Sequence, residues 1–318
     1  MPLMSSPRRI DVHFHLIPPF YQEAAYAAGA GPAIGRYPDW SPERALELMD
    51  DSGIELALTS LAQPGVQFGD PTKAAALARR CNEYASELGV RWPKRFGALA
   101  TVPMWDLREA TAEIDHALGA LKHQGVCLFA SYGEKFLGDA YFDPVMEALD
   151  AHAAVVFVHP ALHPSSSKLD LPWPGFMMEY VFDTTRAAVN MVFSGAIERF
   201  PRIRLVLAHA GGLMPYFAWR LSISPMIDAR LEQLSPAEIY ARLGRFWYDN
   251  ALSPTAETLA CVERIAPTGH VVFGSDWPFA NARVIAEAVK TYEAVELPQA
   301  QRGAIDRGNV LSLFPRLA

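Results

Sequence analysis

The sequence predicts an α/β protein built as one (β/α)8 TIM barrel with loop insertions, spanning positions 1–318. Three observations lead there. Eight short β-prone runs recur along the chain; most are apolar almost throughout, as parallel strands covered on both faces are; and segments of helical period separate them. A doubly wound open sheet is the alternative. No GxGxxG follows the first run and no GxxxxGK[ST] occurs, so the phosphate-cradling loops such sheets commonly carry are missing.

The first run, 10–15, ends Asp11-Val12-His13-Phe14-His15, and an insertion containing Gly29, Gly31 and Gly35 follows. Ser41-Pro42-Glu43 then opens a helix with an N-cap, a proline at the first helical position and an early acid. Ala45, Leu46, Leu48 and Met49 form its apolar face before Gly53 closes it. Runs at 56–61, 96–102 and 126–130 come next. The fifth, 155–159, ends Phe157-Val158-His159-Pro160 and leads into a proline-rich insertion over 160–175. The sixth, 205–209, ends Ala208-His209-Ala210-Gly211-Gly212, and a third insertion occupies 222–236. The seventh is 246–250, and the eighth, 271–275, reads on into Gly274-Ser275-Asp276-Trp277-Pro278. Strands resume after every insertion, so no domain boundary is expected.

With 28 Lys+Arg against 35 Asp+Glu, the net charge is −7 and no basic run interrupts it. Nucleic acid and anionic membrane surfaces are therefore not expected partners; a small molecule is. Cys81, Cys127 and Cys261 stand far apart without CxxC spacing, which fits a reducing cytoplasm. The first nine residues carry no apolar h-region, and the longest apolar run, 153–158, is too short to cross a bilayer. A cytoplasmic enzyme is the expectation.

In a barrel the C-terminal ends of all strands meet at one mouth, so residues remote in sequence become neighbours there. Strand alternation puts His13 and His15 on one face, where both imidazoles can reach one ion. A lone histidine after a strand is usually a core or cap residue. Four of the nine histidines, His13, His15, His159 and His209, end strands on the same rim, and together they predict a metal site. His163, in the proline-rich insertion, is read as a solvated loop residue.

His13-x-His15, His159-Pro160, His209-Ala210-Gly211-Gly212 and Gly274-Ser275-Asp276-Trp277-Pro278, in this order over nearly the whole chain, resemble the amidohydrolase superfamily, in its aminocarboxymuconate-semialdehyde decarboxylase type. Looser stretches, Ala130-Ser131-Tyr132-Gly133-Glu134-Lys135, Phe182-Asp183-Thr184-Thr185-Arg186 and Arg307-Gly308-Asn309, look like its 6-methylsalicylate decarboxylase branch. The resemblance implies that His13, His15, His159 and Asp276 hold one divalent ion, zinc first, with manganese or cobalt admitted by the same ligand types. It places His209 beside the ion as acid or base. Binuclear members carry a modified lysine at the end of strand four; here that strand ends Phe129-Ala130-Ser131 and Lys135 lies in the following loop, so one metal is expected. Arg220 matches an arginine that reaches the neighbouring subunit's site and grips substrate carboxylate, which implies a homodimer. Arg36 corresponds to the family's other substrate arginine across a loop of different length. Phe279 matches an aromatic that packs on substrate, and Tyr132, Trp173 and Phe176 are expected around the same mouth.

The implied reaction is non-oxidative decarboxylation of a small aromatic, salicylate-type, or related unsaturated acid. The ring carbon bearing the carboxylate must be protonated before the carbon–carbon bond gives up its electrons. An ion chelating the carboxylate and an ortho hydroxyl offsets charge while an acid supplies the proton. His209, Asp276 and water are the candidate acids, with His209 working through water preferred. Two alternatives stand beside this: hydrolysis of a lactone or amide with His209 as base, and a non-catalytic metal-binding protein on the same fold, whose mark would be a broken ligand set. Arg220 and Arg36, if they face the mouth, make it locally positive and suited to a small anionic substrate.

Overall fold

Each of the eight runs becomes a strand of one parallel sheet in the computed structural model, which describes residues 8–168 and 172–318. The strands are β1 (Arg9–His15), β2 (Ile54–Ser60), β3 (Phe96–Ala100), β4 (Gly125–Phe129), β5 (Val155–His159), β6 (Arg204–Leu207), β7 (Trp247–Asp249) and β8 (Val271–Val272), hydrogen-bonded in chain order. The last meets the first: Val12 N donates to Phe273 O at 3.0 Å, and Phe14 and Trp277 form a parallel bridge. The result is a nearly closed (β/α)8 barrel with helices between the strands.

The near-continuous apolar runs have the expected cause. Ile10, Val12, Leu56, Leu58, Val155, Phe157 and Val206 fill the barrel interior, while Ala57, Val156, Val158, Leu205 and Leu207 pack in a separate core with the helices. Both faces of each strand are buried, and a fully buried Leu, Val or Phe is worth about 1.5–3 kcal/mol. The helix Pro42–Asp51 starts as predicted, with Ser41 Oγ accepting from Arg44 N at 3.2 Å, and buries Ala45, Leu48 and Met49. Gly53 after it has φ +65°, which glycine adopts without strain.

Four strands, β3, β6, β7 and β8, are shorter than predicted, and two of them bear on the site. β6 stops at Leu207 and β8 at Val272, so His209 and Asp276 stand on turns just beyond the ladder. The second and third insertions are irregular: among its described residues the second holds a single turn, Pro164–Lys168, and the third two turns, Ser224–Met226 and Ala229–Leu231. Residues 169–171 of the second insertion, and 1–7 of the N-terminal segment, lie outside the described residues. The three cysteines are free, and among the described residues no helix is long and apolar enough to cross a membrane.

Candidate metal centre and active site

β1 delivers two histidines through an irregularity. Val12 belongs to the barrel interior, yet the next residue, His13, also points inward, its ring edge-on to Phe157 at 4.8 Å. Two consecutive residues on one side require a break in register, and the β1–β2 pairing shifts between Asp11 and Phe14. Beyond the break alternation resumes: His15 follows His13 to the inside while Phe14 stacks on Trp277. β5 needs no such device, since Val155, Phe157 and His159 share one parity.

His13, His15, His159 and Asp276 are all buried, and their ligand atoms lie within 4.8 Å of one another. Asp276 Oδ1 is 3.1 Å from His15 Nε2 and 3.3 Å from His13 Nε2. The outward nitrogens show which tautomers are present. His159 Nδ1 lies 2.8 Å from the carbonyl of Pro160, which only accepts, so Nδ1 carries the hydrogen and Nε2 turns a lone pair inward. His13 Nδ1 faces Asp249 Oδ2 at 2.7 Å and His15 Nδ1 the Ser60 carbonyl at 3.4 Å, in the same sense. Three lone pairs and a carboxylate oxygen thus converge, and His13 Nε2, fully buried, has no hydrogen-bond partner. That arrangement is repulsive unless a cation sits at its centre, and the N3O donor set suits zinc, manganese or cobalt.

Electrostatics agree. Burial opposes charge on His13, but Asp249 and Asp276 on either side outweigh it and push its pKa up to about 10. Burial also works against a charged Asp276, yet the adjoining His13, with His15 and His209 close by, holds it well below the usual carboxylate range. Burial and the neighbouring His15 and His13 push His159 far down. The site therefore calls for one compact positive centre.

His209 Nε2 is 3.5 Å from Asp276 Oδ2, the carboxylate oxygen turned away from His13 and His15, and its Nδ1 is buried without a partner. Its backbone is left-handed (φ +53°), as are Ala210 (+55°) and Asp276 (+65°). Non-glycine residues held there cost about 1–3 kcal/mol each, which the surroundings must offset. Part of the offset is visible: Asp249 Oδ1 accepts from His209 N at 2.8 Å, and Asp276 N donates to His13 O at 2.8 Å. Asp249 was not singled out from the sequence, although it is the last but one residue of the seventh run and closes β7. Asp11, whose Oδ1 accepts from His13 N and Ser275 N, was likewise missed.

A cavity of about 250 Å³ opens over the cluster, lined by His159, His209 and Asp276 and walled by Ile34, Phe176, Val181, Leu252 and Phe279 among others. Phe279 sits edge-on to His15 at 5.4 Å, so it and Phe176 are where the sequence reading put them. Other expectations need correction. Tyr132 lines a neighbouring cavity of about 540 Å³, and its hydroxyl accepts from Phe129 N at 2.9 Å, bracing the end of β4. Trp173 is exposed beside a third cavity. Arg36 is exposed and outside the metal-facing lining, because its loop presents Pro32, Ala33 and Ile34 instead. Arg220, expected at a neighbouring subunit's site and not at its own, needs no correction: it is exposed on the helix Met214–Ser222, outside the same lining. His163 is buried, stacked on Phe136 at 4.7 Å, and not solvated. Lys135, expected in the loop beyond strand four, is exposed there and pairs with Asp139 at 3.3 Å. Gln63 and Tyr180, which line the cavity, carried no motif that would have flagged them.

A family model described as Amidohydrolase matches residues 10–316. The chain is 36% identical to the 6-methylsalicylic acid decarboxylase of Penicillium expansum, over 97% of each chain. Among solved structures, 5-carboxyvanillate decarboxylase from Sphingomonas paucimobilis superposes with TM-score 0.86 at 24% identity, covering 98% of this chain and 99% of that one. A dihydroxybenzoic acid decarboxylase from Polaromonas sp. JS666, with bound manganese and the inhibitor 2-nitroresorcinol, gives 0.81 at 23%, covering 97% of each. The chain belongs to the amidohydrolase family, and within that superfamily it is an enzyme of the carboxy-lyase type.

Proposed function

We propose that this protein catalyses the metal-dependent, non-oxidative decarboxylation of a small salicylate-type acid. The observation that carries the reading is the inward convergence of His13, His15, His159 and Asp276 with His209 beside them, under an apolar cavity of aromatic-ring size. Likeness to a 6-methylsalicylic acid decarboxylase over nearly the full chain supports it. One divalent ion is proposed for the four ligands; zinc is the first expectation, and manganese, present in a structural relative, fits the same donors. When bound, such an ion supplies Lewis acidity and a chelation point for carboxylate and adjacent hydroxyl.

The remaining work falls to the chain's own residues. His209, whose Nε2 is 3.5 Å from Asp276, holds a proton in this reading and delivers it, directly or through one water, to the ring carbon that bears the carboxylate. The electrons of the carbon–carbon bond then restore the ring, and carbon dioxide leaves without a proton. Phe279 and Phe176 supply apolar surface for the ring and exclude water. Arg220 is proposed to act in a homodimer, gripping the carboxylate at the partner's site; it is exposed and among the described residues makes no ion pair.

The test is carbon dioxide release from a hydroxybenzoate panel, 6-methylsalicylate first, by metal-loaded protein. Release from at least one acid is expected, with a loss of about 10²–10⁴-fold in His209→Ala that retains its metal. Turnover of lactones or amides with no release from any aromatic acid would overturn the reading.

A further inference from the structure

The wall of the metal-facing cavity is mostly apolar. Apart from the metal ligands and His209, the polar side chains lining it are Gln63, Tyr180 and Ser253, and among the described lining residues none is lysine or arginine. Gln63 lies on the loop after β2 and Tyr180 on the helix Phe176–Phe193, 117 positions later, so only the barrel brings them together. Tyr180 sits edge-on to the ligand His159 at 6.1 Å between ring centres, which sets the pair beside the metal cluster.

Their hydrogen bond has a direction. Tyr180 Oη donates to Gln63 Oε1 at 3.2 Å. A phenol has one hydrogen, and here it is spent on the carbonyl end of the amide. The orientation of the amide is thereby set: Oε1 is occupied, while Nε2 keeps two hydrogens and makes no hydrogen bond to another described residue. A group with two idle donors on the wall of an apolar cavity, next to a cluster fit to hold a cation, suits an anionic acceptor, and hydrogen bonds to charged groups are the strong ones.

We propose that Gln63 Nε2 donates to the anionic head of the bound aromatic acid, and that Tyr180 is a positioning residue that holds the amide in that orientation. This rests on the reading that the cavity takes an ortho-hydroxy aromatic acid, and it adds a neutral donor to the recognition the metal and Arg220 would provide. Nothing in the pair changes protonation during the reaction, so its contribution is to binding and orientation.

The test uses a probe that cannot lose carbon dioxide. Binding of 2-hydroxybenzenesulfonate, an anion, and salicylamide, its neutral counterpart, is measured by calorimetry on metal-loaded wild type, Gln63→Met, Gln63→Glu and Tyr180→Phe. Metal content confirms that each variant is folded. Gln63→Met should weaken the sulfonate about tenfold. Gln63→Glu keeps the shape but opposes an anion, and should weaken it about a hundredfold while changing salicylamide by less than about threefold. Tyr180→Phe should cost the sulfonate about threefold alone and nothing further on top of Gln63→Met, since its effect runs through the amide. For the decarboxylated acid, Gln63→Met should raise KM with kcat little changed.

Equal sulfonate binding by wild type, Gln63→Met and Gln63→Glu overturns the contact, as does failure of the metal-loaded wild type to bind the sulfonate at all. An undiminished Tyr180→Phe effect in the Gln63→Met background overturns the positioning role. The decarboxylation reading fails separately: Gln63-dependent sulfonate binding with no carbon dioxide from any acid leaves this inference standing and removes that one.

Discussion

Asp249 spends both carboxylate oxygens on the centre without touching the ligand cavity. Oδ2 takes the Nδ1 hydrogen of His13, while Oδ1 accepts from His209 N and Ala251 N. In Asp249→Asn the carbonyl oxygen can keep the two backbone amides only by turning its NH2 toward His13. Donor then meets donor, and His13 must move its hydrogen to Nε2, where the lone pair is needed. Metal affinity should fall about 10–100-fold, read by competition with a chromophoric chelator; an unchanged dissociation constant would show that His13 is oriented by something else. At this scale the proposed histidine ligands were legible because they lie near strand ends on one rim, Asp276 only through the family resemblance, and Asp249 carried the same positional signal in the seventh run without a histidine to draw attention to it. The left-handed backbones of His209, Ala210 and Asp276 were not legible, since local propensity argues against non-glycine residues there and only tertiary bonds hold them. Gln63 and Tyr180 were silent for a related reason: a glutamine in a loop and a tyrosine on a helix acquire a role only through a pairing across 117 positions.

Between residue and barrel, the helix Phe176–Phe193 couples the site wall to the strand ends. Tyr180 and Val181 face the cavity, and two residues on Asp183 reaches under the rim to bind Ser131 Oγ and Ala161 N, each at 2.8 Å. Ser131 follows β4 and Ala161 follows β5, so one carboxylate fastens both loops. Burial outweighs these two bonds and raises the Asp183 pKa to about 6. A carboxyl raised above its unfolded value of 3.8 favours the fold most when protonated. Its contribution is full below about pH 4 and is lost as pH rises through about 6, leaving a buried charge worth up to about 3 kcal/mol against the native state at neutral pH. Asp183→Asn removes that charge and can still accept from one loop and donate to the other. Relative to wild type it should therefore gain about 1–3 kcal/mol in urea unfolding between pH 4 and pH 7.5; a difference independent of pH would refute the assignment. The helix Pro42–Asp51 was legible down to its cap, because proline and serine act locally. The register break in β1 was not, because alternation alone could not show that Val12 and His13 share a side.

At the scale of the whole molecule, eight strand–helix units account for the length and the acidic net charge says nothing of the mouth, as counting strands implied. What no strand count reveals is what covers the outside. The helix Met214–Ser222 and the turn after it expose Tyr216 (76%), Trp219 (67%), Met226 (75%) and Ile227 (80%), with Arg220 among them. Exposed apolar residues of this kind close together in the chain are what an interface buries, and aromatic residues with an arginine are the types that dominate interface energetics. If a second copy covers it and Arg220 crosses into that copy's site, three results are expected together. Sedimentation equilibrium should give twice the mass of the 35.0 kDa chain, and Tyr216→Ser with Trp219→Ser should return it to one. Arg220→Gln should raise KM about 10–100-fold, the worth of a charge-assisted bond to carboxylate, with metal content unchanged. Finally, Arg220→Gln and Asp276→Asn chains, each impaired alone, should regain activity when unfolded and refolded as a mixture, because the mixed dimer joins one intact metal site to one intact partner arginine. A monomeric wild type, or a mixture no more active than its parts, would confine the site to a single chain and leave the metal and Gln63 to hold the carboxylate alone.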